Sequence, residues 1–189
     1  MYSLKQFSYP LFILLFLSCG EAQQEVIETT KVKAENGISY SDSTRQSLQK
    51  LLRSYYSLKD ALVAADSSKA KDFAVQLASA LDTFQTNSDT SLKLSSLTYP
   101  SVLKEASVNL SKISALEEQR AVFETISDNL YELVKTLKPS GIETYQQYCP
   151  MAFNDKGAYW LSDTSHIQNP YFGKKMLTCG EVKEELRYQ

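Results

Sequence analysis

Histidine is nearly missing from this chain: there is one, His166, in 189 residues. It lies in a polar Asp-Thr-Ser-His run, the setting of a solvent-facing loop residue, so general acid–base chemistry near neutral pH has few candidates. The recurrent catalytic signatures are missing as well. There is no Gly-rich phosphate loop, no Gly-x-Ser-x-Gly elbow, no His-Glu-x-x-His and no Cys-x-x-Cys-His. The adjacent carboxylates Glu117-Glu118 and Glu184-Glu185 would point to different faces of a helix, where solvent takes them. The expectation is a protein that is not an enzyme. A charge excess is lacking too. Twenty Lys+Arg stand against 22 Asp+Glu, a formal net charge of −2. No basic stripe exists to displace counterions, so nucleic acid is not an expected partner.

No apolar run after residue 18 is long enough to span a bilayer. Residues 1–18 do carry a short apolar core, Leu11-Phe12-Ile13-Leu14-Leu15-Phe16-Leu17, behind Lys5 and ahead of Ser18-Cys19-Gly20. That run is too short for a membrane span and has the length of a signal-peptide core. A small residue before a cysteine, directly after it, is what a lipoprotein signal peptidase needs. Residues 1–18 are therefore expected to be removed, and Cys19 to become a lipidated N-terminus. Each buried acyl methylene contributes about 0.8 kcal/mol, so more than one chain anchors stably. The expected location is the cell envelope, lipid-anchored to a membrane and facing the periplasm or the cell exterior.

Residues 19–41 are polar and lack apolar periodicity, which reads as a flexible tether. Helical spacing follows. Leu48, Leu51, Leu52, Tyr55, Leu58 and Leu62 form one stripe, with Asp42 or Ser43 as its cap. Ala64-Ala65-Asp66-Ser67-Ser68 breaks the pattern and offers a second cap, and Ala70, Phe73, Ala74, Leu77, Leu81 and Phe84 form a second stripe. Pro100 is placed to open a third helix carrying Val102, Ala106, Leu110, Ile113 and Leu116. Phe123, Ile126, Leu130, Leu133, Val134 and Leu137 form a fourth, stopped at Pro139-Ser140-Gly141. The fold class expected is mostly α: an antiparallel four-helix bundle over 42–138. Residues 139–189 would be an aromatic tail containing Cys and Met and packed on the bundle. Within it, Tyr148–Phe153 and Ala158–Leu161 are expected to pair as a short β-hairpin.

Beyond Cys19, the exported chain has two cysteines, two methionines and the one histidine, and all five lie between residues 149 and 179. Met151 follows Cys149 by two residues, and Met176 precedes Cys179 by three. Two cysteines in an oxidising compartment ordinarily pair, and closing a loop of about thirty residues contributes roughly 3–4 kcal/mol. A Cys149–Cys179 staple is the simpler expectation from composition. The sharper one is a soft-metal site, because thiolate and thioether sulfur select Cu(I) over hard ions. Pro150 would stiffen the Cys-Pro-Met segment. Zinc on Cys149, Cys179 and His166 is a third reading, though the spacing fits no compact zinc signature and leaves the methionines unused.

Four segments together resemble a known domain: Tyr148-Cys149-Pro150-Met151-Ala152, Lys156 to Ser162, Ile167-Gln168-Asn169-Pro170-Tyr171-Phe172-Gly173, and Lys175-Met176-Leu177-Thr178-Cys179-Gly180. Tyr55 to Leu62 is similar to the same family's first helix. The family is a domain of unknown function found in small lipoproteins of Gram-negative bacteria. It is also appended to periplasmic adaptor subunits of copper and silver efflux pumps. The resemblance spans roughly residues 45–185. It implies heavy-metal handling, moves the balance from a disulfide toward copper, and carries over Cys149, Met151, Met176 and Cys179 as ligands. His166 falls outside the shared motif and is retained only as a further candidate. The expected function is a membrane-anchored copper-binding accessory, with a heavy-metal efflux complex or a copper donor as partner. The alternative is a structural or interaction lipoprotein stapled by the disulfide.

Overall fold

The computed structural model describes residues 36–189. The expected signal peptide, the lipidation site Cys19 and the tether as far as residue 35 lie outside the described residues. The chain is mostly helical, with a small three-stranded antiparallel sheet near its C-terminal end. No helix among the described residues is long and apolar enough to cross a membrane.

The first stripe forms α1, Asp42–Val63, and buries all six of its apolar residues. Its cap is Ser41, one residue earlier than the expected candidates, whose hydroxyl accepts the Thr44 amide. α1 ends without glycine. Ala65 takes the left-handed conformation at φ 59°. Its amide bonds the Leu62 carbonyl at 3.1 Å, and the Asp66 amide reaches Ala61 at 2.9 Å, the paired bonds of a Schellman stop. Asp66 then caps α2, Ser67–Asn87, accepting the Lys69 amide at 3.0 Å. Two single 3-10 turns, Thr90–Leu92 and Leu94–Ser96, lead into α3, Tyr99–Leu110, with Pro100 in its first turn.

α3 differs from the expected stripe. It buries Leu103, Ala106 and Leu110 while Val102 is exposed, and it stops before Ile113. The chain turns at Ser111-Lys112, whose amides bond back to Ser107 and Asn109. The buried Gln119 amide group pins that turn by donating to the carbonyls of Ile113 at 2.8 Å and Ser67 at 2.9 Å. Leu116 therefore opens α4, Leu116–Leu137, which buries its whole expected stripe. α1 lies beside α2, α2 beside α3, and α3 beside α4. α1 meets α4 through long side chains: the Tyr55 ring stacks on Phe123 at 5.3 Å, and its hydroxyl bonds Ser127 at 2.7 Å.

The strands are β1, Glu143–Cys149; β2, Ala158–Ser162; and β3, Glu181–Arg187, in the order β2-β1-β3. The expected hairpin is displaced. Tyr148 pairs with Tyr159 and Cys149 with Ala158, so β1 ends at Cys149. Pro150 has no amide to continue a ladder, and Phe153, Asn154 and Asp155 then curl left-handed at φ 52°, 58° and 65°. β3 was not expected at all. Its charged Glu181, Lys183, Glu185 and Arg187 suit an exposed edge, and a register shift opposite Gln146-Gln147 breaks its alternation. Glu184 is no solvated helix carboxylate: it accepts from Tyr131 at 2.7 Å and Lys135 at 2.6 Å, fastening β3 to α4.

The helix-facing side of the sheet is tied to α1. The Leu161 amide donates to the Tyr55 hydroxyl at 3.0 Å, and the Tyr56 hydroxyl donates to Thr144 at 2.8 Å. Residues 37–40, at the far end of the expected tether, pack against the domain. Gly37 donates to the Gln189 carbonyl, Ile38 to that of Lys138, and the Tyr40 hydroxyl to that of Leu137.

The left-handed Ala65 gives a direct check. A non-glycine residue in that region costs roughly 1–2 kcal/mol, and glycine gives back part of this in unfolded-chain entropy. Ala65→Gly should raise unfolding stability by about 0.5–1 kcal/mol, read as a higher denaturant midpoint at unchanged slope; a loss of stability would contradict the stop described.

Candidate sulfur site

The residues from Asp163 to Gly180 contain one single-turn 3-10 element, Gly173–Lys175, and little other regular structure. This segment packs on the sheet, where register places Gln147 opposite Trp160 and Cys149 opposite Ala158. The Gln147 side-chain amide donates to the carbonyls of Thr164 and His166, and the Trp160 ring meets Tyr171 edge-on at 5.9 Å.

Asn169, fully buried, holds the far end. Its Oδ1 accepts the amides of Tyr171 at 2.8 Å and Phe172 at 3.2 Å. Its Nδ2 donates to the Cys179 carbonyl at 2.8 Å, and its own amide donates to Leu177. Arg120, buried on α4, donates Nε to the Pro170 carbonyl at 2.9 Å and a terminal nitrogen to Glu117 at 2.8 Å. Gly180 completes the approach. At φ 143° it lies where a Cβ would come within 2.8 Å of the Tyr148 carbonyl and 2.9 Å of the Trp160 ring. Only glycine lets Cys179 descend onto β1 there.

The outcome is a contact between two thiols. Cys149 ends the central strand and is fully buried; Cys179 ends the covering segment and is half-buried. Their sulfurs are 3.0 Å apart and both are free. A disulfide would need a separation near 2.05 Å. Hydrogen bonding to Cys149, with burial adding to it, pushes the Cys179 thiol up to about 11. A pair so placed has two outlets: loss of two electrons and two protons to a disulfide, or loss of protons to a soft cation.

The thioethers form a separate set. Met151 is 46 % exposed. It and the half-buried Met176 both line an open groove of about 650 Å³, walled by Phe153, Tyr171 and Phe172, and neither cysteine lines it. Chain connection keeps the sets close, since the Met176 carbonyl accepts the Cys179 amide at 3.1 Å. His166 is exposed, and its backbone, rather than its ring, ties it to Thr164 and Gln147. Among the described residues no three His, Cys, Asp or Glu side chains gather as a ligand group.

With this geometry in place, comparison with known proteins adds one finding. Residues 51–141 match a family model described as a protein of unknown function (DUF3347). No curated protein and no solved structure matches the chain. The matched span runs from within α1 through α4 and ends at Gly141, before β1. Cys149, Met151, Met176 and Cys179 all lie beyond it.

Asn169, Arg120 and Gly180 went unnoticed in the sequence as site residues. Asn169-Pro170 signalled a turn but not the three hydrogen bonds of its side-chain amide. Arg120, three residues before Phe123 on an apolar stripe, was the one available hint. Asn169→Ala should cost about 2–3 kcal/mol by leaving buried amides and a carbonyl unpaired. The readout is a lower urea midpoint together with faster modification of Cys179 by a thiol reagent; an unchanged modification rate would show that Asn169 does not position the thiol.

Proposed function

We propose that this protein is a soft-metal-binding accessory, most suited to Cu(I), that holds its ion at Cys149 and Cys179 and is not an enzyme. The observation that carries this reading is the 3.0 Å approach of two free thiols at the junction of a rigid strand and an irregular segment. Two polarisable thiolates, one of them on the fully buried Cys149, select a soft monovalent ion over hard cations. The sulfurs must spread to admit it. Cys149 is fixed by the β1 ladder, so Cys179 is the ligand that moves, and being partly open it is also the one that exchanges with a donor or acceptor.

The four helices serve in this reading as an antiparallel bundle that carries the sulfur-bearing tail. Lipid on Cys19 would anchor the domain to a membrane of the cell envelope, with the polar residues after it as tether. A copper donor and a heavy-metal efflux complex are the partners that fit such a location. The resemblance to efflux-adaptor domains supports this placement. The second reading rests on the same contact: Cys149 and Cys179 oxidise to a disulfide that staples the covering segment to β1, and the aromatic surface serves an envelope partner.

Titration of the reduced full chain with Cu(I), against a strong chelator, tests the proposal. One ion per chain should bind, more tightly as pH rises between about 6 and 8, because the thiol protons must leave. Cys149→Ser and Cys179→Ser should each weaken binding by at least about 100-fold, more than the loss of a merely supporting residue. No competition with the chelator, or Cys149→Ser binding as well as the parent, would remove the proposal. A two-proton mass deficit that persists after copper is supplied would favour the staple.

A further inference from the structure

The sulfur ligands fall into two groups rather than one, and the second group has an environment of its own. Methionine ordinarily fills gaps in apolar cores. Met151 fills none: nearly half its surface is in solvent, at the mouth of a groove whose wall also includes Met176. The turn that carries this side of the groove is strained. Phe153, Asn154 and Asp155 are three successive non-glycine residues at positive φ, each costing roughly 1 kcal/mol or more, and all three line the groove. Strain persists where surrounding structure imposes it. Here the Gly157 amide bonds the Ala152 carbonyl at 2.9 Å, Lys156 bridges to Glu124 at 2.9 Å, and the Phe153 ring packs edge-on against Tyr171 at 5.3 Å. The turn is held in a costly shape beside the groove that Met151 and Met176 line. The groove's charged residues balance, Glu117 and Asp155 against Arg120 and Lys175, with Glu117 paired to Arg120 at 2.8 Å, so selection of an ion there falls to the thioethers.

We infer that Met151 and Met176 form a distinct thioether site in this groove, which takes up a soft monovalent ion and passes it to the thiol pair. The inference rests on the proposed metal-binding role and assigns its entry route. Thioethers carry no proton at any working pH and do not form disulfides, so this site stays competent when the thiols are protonated or oxidised. Neutral sulfur ligands hold an ion more weakly than thiolates. Transfer is ligand exchange without redox change. A metal–thioether bond breaks as a metal–thiolate bond forms, the ion stays monovalent, and each thiol proton leaves to water.

The test uses Ag(I), a soft monovalent ion that does not cycle, with the full chain in detergent carrying Cys149→Ser and Cys179→Ser. A Cys149→Ala, Cys179→Ala version serves beside it, because a buried serine hydroxyl could lack a partner. The thiol-free chain should retain one Ag(I), at least about 100-fold more weakly than the parent, with equal affinity near pH 5.5 and 7.5. The methyl resonances of Met151 and Met176 should both shift. Adding Met151→Leu or Met176→Leu, changes that conserve volume, should abolish retention. Failure of both thiol-free chains to bind Ag(I), or binding indifferent to the leucine changes, overturns the inference. If the parent binds through its thiols while the thiol-free chains bind nothing, the entry site falls and the proposed function stands. If the thiol-free chains bind through methionine while the thiols add nothing, the reverse holds.

Discussion

A segment of eighteen residues with almost no ladder of its own has to be laid on a sheet in one register, and a single buried amide does most of that. Asn169 accepts two backbone amides, donates to the Cys179 carbonyl and ties its own amide to Leu177, while its carbonyl accepts the amide of Gly173. Each bond contributes about 1 kcal/mol net, but breaking the set strands several buried groups at once, which costs more than the sum suggests. The place of Cys179 follows from it. Moving that carbonyl by an ångström would part the two sulfurs.

The helices supply the fixed half of the contact. Tyr55 links three elements at one hydroxyl, bonding Ser127 of α4 and receiving the Leu161 amide of β2, and burial holds its proton far above the usual phenol range. Lys59, 2 % exposed, reaches Asp60 at 3.1 Å and Asp163 at 3.7 Å, fixing the point where the covering segment leaves β2. Arg120 acts likewise on Pro170 and on the end of α1 through the Leu62 carbonyl. Buried charges of this kind add little net stability, since desolvation offsets much of the attraction. Their worth here is positional: each ends on a carbonyl or carboxylate that only one placement of the segment can offer.

Much of this was legible beforehand, for a physical reason. Stripes of period 3.6 announced α1, α2 and α4 because those helices bury one broad face each. α3 was misjudged in its inward face and its end, since Ile113 and Leu116 continued its spacing across a turn held by Gln119 from another helix. β3 was hidden because an edge strand under solvent shows charge rather than alternation. In the site, the clustering of sulfur between residues 149 and 179 was visible, and the two thiols do meet. The separation of thioethers from thiols was not visible, because it lies in which side chains line the groove beside Phe153–Asp155, and nothing in Phe-Asn-Asp calls for three positive φ values. Gly180 similarly looked like loop chemistry until the Tyr148 carbonyl was found beneath it.

The central claim is that sulfur, brought together by tertiary packing, is what this fold presents to a ligand. X-ray absorption at the copper edge, on the reduced chain loaded with one equivalent of Cu(I), reads the ligand atoms themselves. The account predicts a first shell made of sulfur alone, which loses intensity in Cys149→Ser. A shell of nitrogen or oxygen donors, or one identical in the parent and in that variant, would contradict it.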